Sequence, residues 1–363
     1  MVYRVIGIMS GSSIDGLDVA FTELDDSGGK WSYEIKKAHC YPFALELKER
    51  LQNATSLNAR DYLLLHKDLG KYIATSINEF VETNHLHHRI QLVASHGHTT
   101  FHEPELGLTA QLGDGSVIAA LTGINVVSDL RSMDVALNGQ GAPIVPMGEK
   151  LLFTDYDYLL NIGGISNISV KKESGTVAFD VCAANRILNM LATKEGKEFD
   201  ENGAMAAAGA IHTPLLTALN NQEYYKKSYP KSLANTFGTD VIYPLVESFG
   251  LSTPDALRTY TEHIAQQVAY SLNGLHQPSS EKQLLVTGGG AFNTFLVNRL
   301  SAVLSPLNIK VIVPDELTIQ YKEALIMALL GILRWREENT TLSSVTGATR
   351  DSIGGAVWIG QEA

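Results

Sequence analysis

The chain has 363 residues, with 28 basic and 39 acidic side chains and a formal charge of −11. Hydrophobic residues make up 45% and charged residues 18%, too apolar for a disordered chain and long enough for about two domains. Net negative charge argues against nucleic acid or an anionic membrane as partner, yet it leaves room for a locally positive pocket. The two cysteines, Cys40 and Cys182, are too few for a disulfide framework or a cysteine zinc site, so a reduced, cytoplasmic setting is expected. Met1-Val2-Tyr3-Arg4 leads into a strand broken at Gly7, not into a secretory leader. The apolar run from Ala324 to Leu333 is far shorter than the ~20 residues that span a bilayer.

Taken in order, Tyr3 to Met9 predicts a strand, 10–16 a turn, and Leu17 to Leu24 a second strand. Ser27-Gly28-Gly29 turns the chain into a third, Trp31 to Ala38. Helices are expected over Leu45 to Thr55 and Ala59 to Thr83. A buried strand, Ile90 to Ser95, ends at His96-Gly97-His98. Asp114 to Thr122 reads as a short helix and Asn125 to Ser128 as a strand. A second strand–turn–strand unit, Tyr158 to Val170, turns at 161–167 and suggests an architectural duplication. Val177 to Phe179 is a strand ending at Asp180, and Ala183 to Thr193 a helix. The polar, tyrosine-rich segment 219–231 is assigned to the surface. Asp255 to Leu272 is an amphipathic helix, with Thr253 as N-cap and Pro254 opening it. Strand Leu284 to Thr287, loop Gly288-Gly289-Gly290, helix Asn293 to Leu304, strand Val311 to Val313, helix Lys322 to Glu337 and a closing element over 354–359 complete the pattern. Trp335 and the stripe from Ala324 to Leu333 are assigned to the core. Alternating strands and helices give an α/β class. The domain boundary is placed near 132–141, giving domains 1–134 (with 350–363 joining the first) and 135–349.

Three glycine turns follow apolar strands: Gly11-Ser12-Ser13-Ile14-Asp15-Gly16, Gly163-Gly164-Ile165-Ser166-Asn167, and Gly288-Gly289-Gly290. Glycine lets backbone approach a ligand closely, and successive inward N–H groups suit phosphate oxygens. Each turn alone is most simply a hairpin; three in order after apolar strands are less easily accidental. None is followed by Gly-Lys-Ser/Thr, and none has the dinucleotide G-x-G-x-x-G spacing.

These turns resemble the two phosphate hairpins and the adenosine loop of the actin, Hsp70 and sugar-kinase superfamily. More narrowly, the chain resembles the anhydro-N-acetylmuramic acid kinase family. The resemblance rests on 9–18, Ser95-His96-Gly97-His98-Thr99, Gln111-Leu112-Gly113-Asp114, 127–134, 139–146, 160–167, Phe179-Asp180, 200–204, Pro230-Lys231-Ser232 and 286–293. It covers essentially the whole chain.

It implies two actin-like (ribonuclease H-like) domains with mixed sheets flanked by helices and an ATP cleft between them. The activity implied is opening and phosphorylation of 1,6-anhydro-N-acetylmuramic acid to N-acetylmuramic acid 6-phosphate in peptidoglycan recycling, using ATP and water. Asp180 would be the catalytic base, since water needs a base to draw off its proton; the residue's place also suits a cap on the following helix. Nucleotide contacts fall on Gly11, Ser12, Ser13, Asp15, Gly16, Asp18, Gly163, Gly164, Asn167, Gly288, Gly289 and Gly290. Asp15 and Asp18 would hold Mg²⁺, directly or through water, although Asp18 also suits a plain strand-edge carboxylate. Substrate contacts fall on His98, Asp114, Arg131, Asn185 and Glu323. Arg131's planar fork matches the lactyl carboxylate, while Glu323 could instead pair with Lys322. His96 and His98 read as hydrogen-bonding groups of the site or as structural histidines, without the spacing of a zinc site. The resemblance also makes a homodimer the assembly to expect.

One stretch departs from the family. Where a Thr-Gly-Pro-Gly-Asn loop usually follows the catalytic aspartate, this chain has Val181-Cys182-Ala183-Ala184-Asn185. That change leaves open a same-fold kinase for another anhydro or amino sugar. A nucleotide-gated binding module in the Hsp70 manner is the alternative from a different class, and the absence of length for a peptide-binding domain weighs against it.

Overall fold

The computed structural model describes residues 1–11, 14, 16–172, 175–229, 231–234, 236–273, 275 and 281–360. Ser12, Ser13 and Asp15, three of the expected nucleotide and metal contacts, and Pro230 of the quoted motifs lie outside the described residues. The chain divides into two compact units, Met1–Thr154 with Tyr321–Ala363, and Asp155–Gln320.

In the first unit the strands are β1 (Val2–Met9), β2 (Gly16–Ser27), β3 (Lys30–Pro42), β4 (Leu92–Ser95), the hairpin β5 (His98–Glu103) and β6 (Leu108–Leu112), β7 (Val126–Ser128) and, near the C-terminus, β13 (Ala356–Trp358). The main sheet runs β13-β7-β4-β1-β2-β3. β1, β2 and β3 form an antiparallel meander; β4 and β7 add in parallel on the other side of β1. Its helices are α1 (Leu45–Gln52), α2 (Ala59–Thr83), α3 (Gly115–Thr122), α4 (Ser132–Ala136), α5 (Val145–Leu152) and α14 (Ser343–Thr346). The Asn58 side chain caps α2 by accepting the Asp61 N–H. Leu65, Leu69, Ile73 and Ile77 recur every four residues on one face of α2 and are fully buried with Ile6, Ile8, Val19 and Val93 of the sheet. Each such side chain contributes about 1.5–3 kcal/mol of burial.

The second unit holds β8 (Tyr158–Ile162), β9 (Ile165–Lys172), β10 (Gly175–Ala183), β11 (Lys282–Thr287) and β12 (Ile309–Ile312) in the order β10-β9-β8-β11-β12. Again a three-stranded antiparallel meander is followed by two parallel strands. Both units therefore share one strand order, 3-2-1-4-5, and the architectural duplication read from the two strand–turn–strand segments is present in the topology. Around this sheet lie α6 (Asn185–Ala192), α7 (Ala204–Ala208), α8 (Thr213–Asn220), α9 (Glu223–Lys226), α10 (Tyr243–Glu247), α11 (Thr253–Asn273) and α12 (Thr294–Leu304). The α/β class with mixed sheets flanked by helices holds in both units.

The division falls at 154/155 and inside α13 (Glu316–Trp335), where the sequence reading placed it at 134/135 and 349/350. Tyr321, with φ −114° and ψ 17°, interrupts α13 at that point. Packing explains the shift: the Phe153 ring packs against Tyr33 of β3 with centroids 5.4 Å apart, and Arg336 pairs with Asp26 at 2.6 Å. Both segments are thereby bound to the first sheet.

Several local expectations change. Tyr224 and Tyr225, within the segment assigned to the surface, are 7% and 2% exposed because their rings pack beside Phe237 and His263. Trp335, assigned to the core, is 44% exposed, although the stripe from Ala324 to Leu333 is buried. Thr253 is inside α11; Ser252 precedes it, and its hydroxyl accepts the Asp255 N–H. β10 continues to Ala183, so the helix expected from there starts at Asn185. The β5–β6 hairpin, interrupted by Pro104, was not anticipated from the sequence pattern. Among the described residues no helix is long and apolar enough to cross a membrane.

Candidate active site

In the second unit, strand register assembles one row of polar side chains. Thr287 pairs with Asn161, Asn161 with Asn167, and Asn167 with Asp180 across β11, β8, β9 and β10. Directly opposed residues share a sheet face, so register alone brings together three residues far apart in sequence with Asp180. A bulge between Asp180 and Cys182 then re-aims the strand.

Asp180 is held on every side of its peptide. Its N–H donates to Lys231 O at 3.2 Å, its carbonyl accepts the Tyr224 hydroxyl at 2.7 Å, and its Oδ2 accepts the Leu233 N–H at 2.8 Å. Burial pushes its carboxyl above the usual aspartate range, and the Leu233 N–H offsets only part of that. Asp180 does not cap α6, whose first turn receives no side-chain cap. The departing stretch Val181-Cys182-Ala183-Ala184 is 0–2% exposed and forms part of the core. The Tyr260 hydroxyl bonds Ala183 O at 2.8 Å, so the altered residues are built into the sheet beneath the site.

The turn at Gly163-Gly164 is tied to the start of α6: Ala184 and Asn185 N–H donate to Gly164 O and Gly163 O at 2.8 and 3.0 Å. A Cβ at Gly163 would meet nothing closer than 3.5 Å, and one at Gly164 nothing closer than 3.7 Å. The packing of the protein does not itself demand glycine there, and the surface is left open to a ligand. The atom nearest to where that Gly164 Cβ would stand is Nε of Arg186, a residue the motif reading missed. Among the described residues no carboxylate pairs with Arg186. Its only sequence signal was a cation one position beyond Asn185 in an acidic chain.

Gly288 does require glycine: its φ is +78°, and a Cβ would lie 2.7 Å from Asn161 Oδ1. Beyond it, Gly289 and Gly290 floor a cavity of about 450 Å³ lined also by Asn185, Asn189, Phe199 and Phe292. Asn185 Nδ2 donates to Ile162 O at 3.0 Å, so this residue, expected at the substrate, stands instead against the glycine loop.

In the first unit a different kind of site appears. Among the described residues, Ser95 Oγ, His96 Nε2, Gln111 Oε1, Arg131 Nε and Glu149 Oε2 are buried without a hydrogen-bond partner. Buried polar atoms are nearly always paired, so orphans that share one cavity suit a polar ligand. Three of their residues, Ser95, His96 and Gln111, line one cavity of about 330 Å³. His96 Nδ1 lies 2.8 Å from Gly97 O, and His98 Nδ1 lies 3.1 Å from Ser10 Oγ. Burial, with Arg131 and His98 adding to it, pushes His96 down to about 3, so the ring is neutral near neutral pH. Burial likewise draws Arg131 down to about 10 against the pull of Glu323. Glu323 is raised by burial, opposed by Lys322 and Arg131 and reinforced by Glu149. Lys322 does not take Glu323 as its partner; it binds Glu149 at 2.9 Å.

Other expected contacts have structural work. Asp114 caps α3 through the Val117 N–H at 3.1 Å and binds Lys67 and Ser116. Burial would raise its carboxyl, but these bonds hold it down at about 2. Gly16 is required by the close approach of Tyr41 O, 2.8 Å from where a Cβ would stand. Asp18 sits on β2 opposite Met9 and Cys40, partly exposed. Gly11 accepts the Ile14 N–H at 3.2 Å.

The family model for anhydro-N-acetylmuramic acid kinase matches residues 3–360. The chain belongs to that family. It is similar to the anhydro-N-acetylmuramic acid kinase of Mannheimia succiniciproducens, at 35% identity over 97% of this chain and 98% of that one. The corresponding protein of Hydrogenovibrio crunogenus is 33% identical, with 97% of each chain covered. Among solved structures, the chain is similar to component A of the (R)-2-hydroxyglutaryl-CoA dehydratase of Acidaminococcus fermentans, with a TM-score of 0.46 and 15% identity over 91% of this chain and 97% of that one. As a member of the kinase family the protein is a phosphotransferase of carbohydrate metabolism.

Proposed function

We propose that the chain converts 1,6-anhydro-N-acetylmuramic acid into N-acetylmuramic acid 6-phosphate, with Asp180 as general base. The observation that carries this reading is the Asp180 carboxyl: it stands in the polar row with Asn161 and Asn167, anchored by the Leu233 N–H and raised by burial. A carboxylate of raised pKa is a better base for water than an exposed one.

Asp180 takes a proton from water as the oxygen attacks the anomeric carbon. The C1–O6 bond breaks, O6 attacks the γ-phosphorus of ATP, and ADP leaves. Arg131 holds the lactyl carboxylate, while neutral His96 and His98 bond sugar oxygens. On the second unit, Gly163-Gly164, Asn167 and Gly288-Gly289-Gly290 carry the nucleotide, and Arg186 meets the phosphate charge as it builds. Asp18 is a hard oxygen donor suited to Mg²⁺, an ion that takes few protein ligands and keeps waters and phosphate oxygens. When bound, that ion neutralises phosphate charge. The altered loop after Asp180 is core, which favours retention of the family substrate over a switch to another sugar.

ADP release coupled to NADH oxidation tests the reading: turnover is expected only when the anhydro sugar is added. Slow hydrolysis indifferent to any sugar would favour the nucleotide-gated binding module instead.

A further inference from the structure

The buried pair Glu149–Lys322 has no place in the scheme above, yet it lies next to Glu323 in sequence and in charge. Its side chains are 5% and 4% exposed, and Oε1 of Glu149 meets Nζ of Lys322 at 2.9 Å. Glu149 Oε2 has no hydrogen-bond partner among the described residues. Burying two charges carries a desolvation cost that pairing must repay, and a hydrophobic pair of like volume is often as stable. Stability alone is therefore a poor reason for this pair.

Its setting gives another reason. Lys322 and Glu323 form the first turn of α13 after the interruption at Tyr321, where ordinary helical geometry does not hold the backbone. That turn is gripped from two sides. On one, Gly7 of β1 lies so near Ala324 O that no Cβ could stand there. On the other, a Cβ at Gly148 would stand 2.6 Å from Ile326 Cγ2, one helical turn beyond Lys322. Glu149, the residue after Gly148, reaches across this contact to Lys322.

We propose that Glu149, through its buried ion pair with Lys322, is a positioning residue that fixes the first turn of α13 after the interruption and with it the Glu323 carboxylate. The inference rests on the reading of Glu323 as a group that faces the sugar. Three charges act on Glu323: Lys322 and Arg131 favour its ionised form, and Glu149 opposes it. A positioning pair of this kind sets geometry and local field together, so its two members have opposite electrostatic signatures.

The test is a carboxyl-carbon NMR titration of Glu323 in glutamate-labelled enzyme, assigned with Glu323→Gln, beside kcat and KM profiles against pH. In Glu149→Gln the Glu323 midpoint is expected to fall by roughly half a pH unit or more; in Lys322→Met it is expected to rise by a similar amount. Lys322→Met leaves a buried carboxylate unpaired, so Glu149→Gln/Lys322→Met is the variant to use if the single one fails to fold; its midpoint is expected to return near that of the wild type. In Glu149→Gln kcat is expected to fall about tenfold with KM for ATP unchanged, the loss expected when a catalytic geometry loosens. Midpoints that stay put, or that move in the same direction in both single variants, would overturn the proposal. The titration needs no turnover, so a wild-type enzyme inactive on the anhydro sugar would count against the kinase reading and leave this result standing.

Discussion

The two units share one strand order and differ in what they leave unsatisfied. In the first, five buried polar side-chain atoms lack partners; in the second, among the described residues, the one such atom is Thr261 Oγ1. The second unit spends its hydrogen bonds on itself, as where Gly163 and Gly164 carbonyls take the first N–H groups of α6. What it offers is an open glycine turn, an arginine with no carboxylate partner among the described residues and the buried Asp180 carboxyl. The contrast matches two ligands of different chemistry. A sugar with hydroxyl, amide and carboxylate groups needs many directional side chains. A nucleotide needs close backbone approach and positive charge. On the proposed assignment, one topology serves both ligands by changing what its loops and strand ends present.

The sharpest way to break this comparison is at the base. Asp180→Asn keeps the shape and the Leu233 bond but cannot take a proton. Turnover is expected to fall by roughly 10²–10⁴-fold, with ATP affinity by calorimetry unchanged. Full activity would remove Asp180 from the scheme. Because the carboxyl is raised, the acidic limb of the wild-type pH profile is expected above the range of an ordinary aspartate, with activity lost as the pH falls through it.

A smaller effect concerns stability. His96 and His263, one in each unit, are both pushed down to about 3, with burial the leading cause. Each is neutral when folded and takes a proton readily when unfolded. Stability from this source is complete above about 6.5 and is lost as the pH falls toward 3. Chemical denaturation followed between those limits is expected to show a falling midpoint. In His96→Gln that slope is expected to be shallower, while an unchanged slope would show that the ring is not held neutral.

The strand order was legible because both meanders carry apolar runs bounded by glycine turns. The turns at Gly163-Gly164 and at Gly288 were legible for the same reason: each follows a strand whose pattern is plain. Asp180, read as the end of a strand, lies inside β10. What could not be read was whatever depends on register or on a distant partner. Tyr224 and Tyr225 look like surface residues until Phe237 and His263 pack beside them. Asp114 has the residue type of a substrate contact, but α3 and Lys67 use its carboxylate. Lys322 sits beside Glu323 in sequence and pairs with Glu149, 173 residues away. Arg186 carried no motif; only its nearness to Gly164 singles it out.

The central claim is that the two units divide the ligands, and crossed affinities test it most directly. Sugar and ATP binding would be measured by calorimetry in Arg131→Lys and Arg186→Gln. Arg131→Lys loses the planar fork and is expected to weaken the sugar about tenfold while leaving ATP unchanged. Arg186→Gln is expected to weaken ATP about tenfold, as loss of a charged hydrogen bond does, and to leave the sugar unchanged. If each variant weakens both ligands alike, or each weakens the ligand assigned to the other, the division is contradicted.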